Sequence, residues 1–189
     1  MTSARILVAE DESLIRLDLV EMLGELGYEV VAQVGDGQSA VDRAGELHPD
    51  VCFLDVAMPV RDGLSAAEEI IASRYSAVVM VTAFSQQDMI ARAASAGVMG
   101  YLVKPFSKSD LAPAIEMASA RWQQMRDLEG EVDDLAERLA ARDIVERAKA
   151  LLQSRHGISE SEAFALLRRQ AMDTRVTLAE VSAALLQQN

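Results

Sequence analysis

The chain has a single cysteine, Cys52, so it can build neither a disulfide frame nor a cysteine-rich zinc site. That residue sits inside the apolar run DVCFLD and reads as a small buried hydrophobe. No apolar run is long enough to cross a bilayer, which predicts no membrane association. The opening MTSARILVAEDE turns acidic where an export signal needs its apolar region. Export is therefore not expected, and the cytoplasm is the default location. Aromatic residues are scarce, and the last 46 positions hold only Phe164, which reads as core. Bases are also scarce, with 18 Lys+Arg against 30 Asp+Glu and a net charge of −12.

That deficit is uneven. Residues 1–120 carry 8 Lys+Arg against 18 Asp+Glu, residues 121–143 carry 4 against 7, and residues 144–189 carry 6 against 5. The tail repels polyanions far less than the body does, which points to two jobs along one chain.

Five short runs are apolar and rich in β-branched residues: RILVA, YEVVAQV, DVCFL, AVVMVT and GYLV. Helical patterns alternate with them at 13–26, 38–47, 64–73 and 86–96, and a fifth starts at Ser107, where Ser107 and Asp110 have capping-box spacing. Strands that alternate with helices build a parallel sheet covered on both faces. From Leu111 the apolar positions Leu111, Ile115, Ala118, Trp122, Met125, Leu128, Val132, Leu135 and Leu139 form a coiled-coil-like seam with one stammer. The surrounding charges favour an extended or dimerising helix over one folded back on its own domain. The last 46 residues read as three short helices: one over about 143–155, one opening at Ser159 with Glu162, and one opening at Thr177 with Glu180.

The ends of four strands carry polar groups: Glu10-Asp11, Asp55, Thr82 and Lys104-Pro105. In a parallel sheet such groups meet in one crevice beyond the carboxyl ends of the strands. Three carboxylates together call for a cation, and oxygen ligands suit Mg²⁺. A neighbouring lysine and hydroxyl can hold phosphoryl oxygens, and a carboxylate can act as nucleophile and form an acyl phosphate.

The stretches AEDE, LDVAMP, VTAF and YLVKPF resemble, in order and in the separation of Thr82 from Lys104, the response-regulator receiver domain over about residues 4–118. The resemblance implies a flavodoxin-like (βα)5 fold of strand order 2-1-3-4-5 with phosphorylation on Asp55 by a sensor histidine kinase. It implies Mg²⁺ held by Asp11, Asp55 and the Ala57 carbonyl, with Glu10 reached through water. Thr82 and Lys104 would contact the phosphoryl group, Tyr101 would change rotamer with the switch, and Lys104-Pro105 would be cis. Ala57 and Phe84 are apolar at positions flanking the phosphoryl site, so neither can orient an attacking water. Self-dephosphorylation is therefore expected to be slow, and no other enzymatic activity is expected.

The tail, ERAKALL through HGISESEAFALLRRQAMDTRVTLAEVS, resembles the ANTAR domain of transcription antitermination regulators from about residue 135. The whole arrangement resembles the actinobacterial phosphorylation-dependent antitermination regulators: a receiver over 1–120, a coiled-coil linker helix over 121–142 and an ANTAR domain over 143–189. The resemblance implies a phosphorylation-dependent homodimer whose protomers each bind one of two paired RNA stem-loops. The candidates for RNA contact are Arg147, Lys149, Arg155, His156, Arg168, Arg169 and Arg175, with Met172 assigned to the core. Two other functions fit a receiver with a helical tail: a DNA-binding transcription factor and a protein-binding signalling adaptor. The final helix TLAEVSAALLQQ offers no run of groove-reading residues, which argues against the first of these.

Overall fold

A parallel sheet of order β2-β1-β3-β4-β5 organises the first part of the chain. Its strands are β1 (Arg5–Ala9), β2 (Glu29–Val34), β3 (Val51–Asp55), β4 (Ala77–Ala83) and β5 (Gly100–Lys104). These come from a computed structural model that describes residues 3–83 and 97–187, in two compact units, 1–126 and 127–189. Phe84 and the helical pattern at 86–96 lie outside the described residues.

Alternation along each strand sorts the core into two layers. Leu7, Ala9, Cys52, Leu54, Val78 and Met80 face α2 (Gly37–Leu47) and α3 (Gly63–Ala72). Ile6, Val8, Val51, Phe53, Val79 and Val81 face α1 (Ser13–Glu25) and the start of α4 (Lys108–His156). β3 is buried along its whole length, as a strand covered on both faces must be. Burial pushes the Cys52 thiol up to about 12, so this cysteine is an inert filler.

The starts of α2 and α3 repeat one local device. Asp36-Gly37-Gln38-Ser39 and Asp62-Gly63-Leu64-Ser65 each use the aspartate as N-cap, accepting from the backbone N–H and the hydroxyl of the serine three residues on. The glycine after each aspartate lies against backbone. A Cβ on Gly37 would meet the Arg61 carbonyl oxygen at 2.3 Å.

The helix expected at about 143–155 has no start of its own. α4 runs unbroken for 49 residues and contains both it and the seam. Helix formers such as Ala140, Ala141, Arg142 and Glu146 surround Asp143, and nothing caps a new start there. The seam divides at its stammer. Leu111, Ile115 and Ala118 are buried in the first unit, with Trp122 and Met125 partly buried beside them. Beyond the two short steps at Met125, the residues Leu128, Val132, Leu135 and Leu139 are 56–65 % exposed. A stammer rotates the stripe relative to what precedes it, which is why the same periodicity serves two surroundings.

In the second unit, Ala148 and Leu152 of α4 pack with Ala163 and Leu167 of α5 (Glu160–Thr174) and Val181 of α6 (Leu178–Gln187). Capping boxes at Ser159/Glu162 and Thr177/Glu180 start the last two helices as their spacing predicts.

Candidate functional site: an acidic crevice at the sheet's carboxyl edge

Glu10 follows the last residue of β1, Asp55 ends β3 and Lys104 ends β5, so parallel register carries all three to one edge. The Lys104 Nζ lies 2.6 Å from Asp55 Oδ1 and 2.7 Å from Glu10 Oε2. One ammonium thus bridges two carboxylates. The Ala57 N–H donates to Asp55 Oδ2 at 2.9 Å, so both oxygens of that carboxylate are oriented. Glu10 is only 1 % exposed, and Asp11 beside it is exposed.

Burial raises the Glu10 carboxyl above its ordinary value and nearby Asp55 adds to this, while Lys104 opposes both. Burial pulls the Lys104 ammonium the other way, but hydrogen bonds to Asp55 and Glu10 outweigh it and hold the amine above its ordinary value. The ammonium is firmly cationic.

Carboxylate oxygens of Glu10, Asp11 and Asp55 lie within 4.8 Å of one another. An all-oxygen, net negative donor set of this kind fits a hard divalent cation. Ala57 shares the turn after Asp55. Thr82, one residue past the Val81 that pairs with Asp55, is buried at the carboxyl end of β4. Tyr101 is half-buried in β5 on the sheet face that carries α2 and α3, and the Lys104–Pro105 peptide is cis.

The second unit matches the ANTAR domain over residues 133–186, and the first matches the response regulator receiver domain over 6–116. The transcriptional regulatory protein PdtaR of Mycobacterium tuberculosis (strain ATCC 25618 / H37Rv) is 55 % identical over 184 residues, covering 97 % of this chain and 89 % of that protein. The chain belongs to the response regulators. Among more distant relatives, the chemotaxis protein CheY of Thermotoga maritima is 34 % identical over 116 residues, covering 61 % of this chain and 97 % of its own. The receiver domain of a modulated diguanylate cyclase from Desulfovibrio desulfuricans G20 superposes with a TM-score of 0.61 at 28 % identity, over 66 % of this chain and 99 % of that one. The chain thus joins a receiver domain to an ANTAR domain.

The receiver also relies on residues with no signature of their own. Arg16 donates to the Glu10 main-chain carbonyl and ties α1 to the acidic loop. Gly63 lies against the Asp55 carbonyl, and its N–H donates to Val56 O at 3.0 Å. The repeat of DGQS in DGLS is the signal that could have found Gly63.

In the ANTAR unit the basic candidates separate. Arg147, Arg155, His156, Arg168, Arg169 and Arg175 are exposed, Arg175 as the left-handed cap of α5 at φ 56°. Lys149 is not on an open face. It is 7 % exposed and bridges Glu146 at 2.8 Å and Glu160 at 2.6 Å, tying α4 to the start of α5. Phe164 and Met172, assigned above to the core, are exposed instead. On α5 the bundle buries Ala163 and Leu167 and partly covers Ala171, and it leaves Phe164 and Met172 outside that strip. Among the described residues, no helix is long and apolar enough to cross a membrane.

Proposed function

We propose that this response regulator accepts a phosphoryl group on Asp55 from a sensor histidine kinase and thereby switches RNA binding by its ANTAR unit in transcription antitermination. The observation that carries this reading is the bridge of Lys104 between Asp55 and Glu10. It orients an acceptor carboxylate beside a fixed cation at the sheet edge where α4 begins.

An oxygen of Asp55 attacks the phosphorus of the donor's phosphohistidine. The new O–P bond forms as the P–N bond breaks, and the electron pair leaves with the imidazole. Lys104 holds phosphoryl oxygens as charge shifts onto them, and the Thr82 hydroxyl takes another. Asp11, Asp55 and the Ala57 carbonyl would hold Mg²⁺ beside Glu10, and the bound ion would neutralise transferring charge. Phosphorylation moves the Lys104 ammonium from the Asp55 carboxylate to the phosphoryl oxygens, which shifts the end of β5, and Tyr101 responds. Hydrolysis of the acyl phosphate is slow, because Ala57 offers no side chain to orient a water. The protein works as a switch rather than as an enzyme.

The exposed stripe Leu128–Leu139 supports pairing of two protomers. Val132 and Leu139 fall at the a positions of a heptad and Leu128 and Leu135 at the d positions, a pattern suited to two strands. Each ANTAR unit of such a dimer then takes one of two neighbouring stem-loops, and avidity multiplies a weak single contact. The test compares the chain with an Asp55→Asn variant after acetyl phosphate and Mg²⁺ treatment, by mass in solution and by binding to a tandem hairpin RNA. Phosphodonor-dependent pairing and RNA binding are expected for the parent only. Equal pairing and binding by the variant would sink the switch. A preference for duplex DNA over hairpin RNA would sink the RNA output.

A further inference from the structure

Phe164, Arg168 and Met172 follow one another at steps of four on α5, so their side chains share one line along the helix. Phe164 is 41 % exposed and Met172 is 70 % exposed. Neither belongs to the apolar cluster that holds the unit together. With Ala165, Arg169 and Asp173 they line a shallow groove of about 370 Å³.

The chemistry of this groove is mixed in a specific way. It is lined by a ring and a thioether, with one guanidinium between them along the helix and a second beside it. Among the described residues, neither Arg168 nor Arg169 is ion-paired to a carboxylate, although Asp173 lines the same groove. A surface for a partner helix would show an uninterrupted apolar strip at three- and four-residue steps, and here the strip is broken by Arg168. Aromatic faces and arginine planes both stack on nucleobases, which carry a π-face whatever their identity. The Asp173 carboxylate repels a phosphate but accepts from the amino and imino hydrogens of a base edge. A base therefore suits the groove better than the sugar–phosphate backbone does.

We propose that the Phe164–Arg168–Met172 groove receives one unpaired nucleobase from an RNA loop. The Phe164 ring and the Arg168 plane stack on it, Met172 closes its end, and Arg169 meets an adjoining phosphate. This rests on the RNA-binding reading above and names the side chains that distinguish a loop from a stem. It also supplies the ring for stacking that a tail with one aromatic residue otherwise lacks.

The test uses the full chain after acetyl phosphate and Mg²⁺ treatment and measures binding to a labelled RNA hairpin and to the same stem without a loop. The parent binds the hairpin more tightly. Phe164→Leu and, separately, Arg168→Met each weaken hairpin binding about fivefold or more, in line with losing one base stack, and leave stem binding unchanged. Phe164→Tyr stays within about twofold of the parent, since its ring still stacks. Phe164→Leu also keeps the parent's salt dependence, whereas Arg169→Gln lowers the slope by about one counterion. Circular dichroism checks the fold of each variant, and Arg168→Met tests the groove without altering Phe164 or Met172. If the parent binds no hairpin, the RNA-output reading falls and this inference falls with it. If the parent binds and both Phe164→Leu and Arg168→Met bind equally well, this inference alone is overturned. It is also overturned if those variants keep RNA affinity but lose mass in solution, because the face then docks protein.

Discussion

Gly63 lies so close to Asp55 that a Cβ at position 63 would stand 1.8 Å from the Asp55 carbonyl oxygen. The N-terminus of α3 is thus seated directly on the Asp55 backbone, and backbone cannot move aside as the end of a flexible side chain can. Gly63→Ala should destabilise the receiver by about 3 kcal/mol, the upper part of the usual cost of overpacking. It should also slow phosphodonor-dependent modification of Asp55. Gly24→Ala is the control, because nothing lies within 4 Å of the Cβ it would add. Urea unfolding of the two variants decides the matter: equal midpoints would show that α3 yields easily.

The Lys104 ammonium holds together two carboxylates that would otherwise repel. Lys104→Met leaves Glu10 buried against an uncompensated Asp55. In chelator the variant should lose about 2 kcal/mol, somewhat less than a fully buried broken pair because Lys104 is partly exposed. Millimolar Mg²⁺ should restore much of that loss, since a cation bound only by the folded state stabilises it by mass action. A variant whose denaturation midpoint ignores Mg²⁺ would argue against a cation site among Glu10, Asp11 and Asp55.

Two glutamates make the ANTAR unit sensitive to acid. Hydrogen bonds from the Ser159 side chain and backbone hold Glu162 below its ordinary value of 4.5, and those from the Thr177 backbone and side chain do the same for Glu180. A lowered folded value means that the stabilisation is complete above 4.5 and is lost as the pH falls through the folded values. Urea midpoints of the helical signal should fall between about pH 5 and 3, and less so in a Glu162→Gln/Glu180→Gln variant. Ser159→Ala should cost about 1 kcal/mol at neutral pH, the usual price of a lost N-cap. A midpoint flat in pH for the parent would remove the caps from the account.

Much of the crevice is legible in the sequence because parallel strands fix where their ends go. Once RILVA, DVCFL and GYLV are strands of one sheet, Glu10, Asp11, Asp55 and Lys104 must converge. The helical tail is less legible for a physical reason. Periodicity identifies a helix face but not how wide a strip the partner helices cover. The partner helices cover the strip through Ala163, Leu167 and Ala171, and Phe164 and Met172 fall outside it. Lys149 misleads in the opposite direction. Its charge is visible in the sequence, but the carboxylate that comes to it from Glu160, eleven residues away across the turn, is not.

Gly130 stands in the middle of α4 with nothing within 4 Å of the Cβ it could carry. Gly130→Ala should therefore stabilise the helix by about 1 kcal/mol through backbone entropy alone. Helical content in a thermal scan measures this. A loss of stability instead would mean that something requires the approach of a bare backbone there.

Between Ala118 and Ala148 no described side chain of α4 is buried, although the helix contributes to an apolar core at each end. That central stretch is held by its own backbone hydrogen bonds and by lateral pairs such as Arg138 with Asp134, so it depends on the folded segments at both ends to stay wound. It is where local unfolding is cheapest in α4, and where amide protons should exchange first and proteases should cut first. A cut there would leave two fragments that each retain a core of their own.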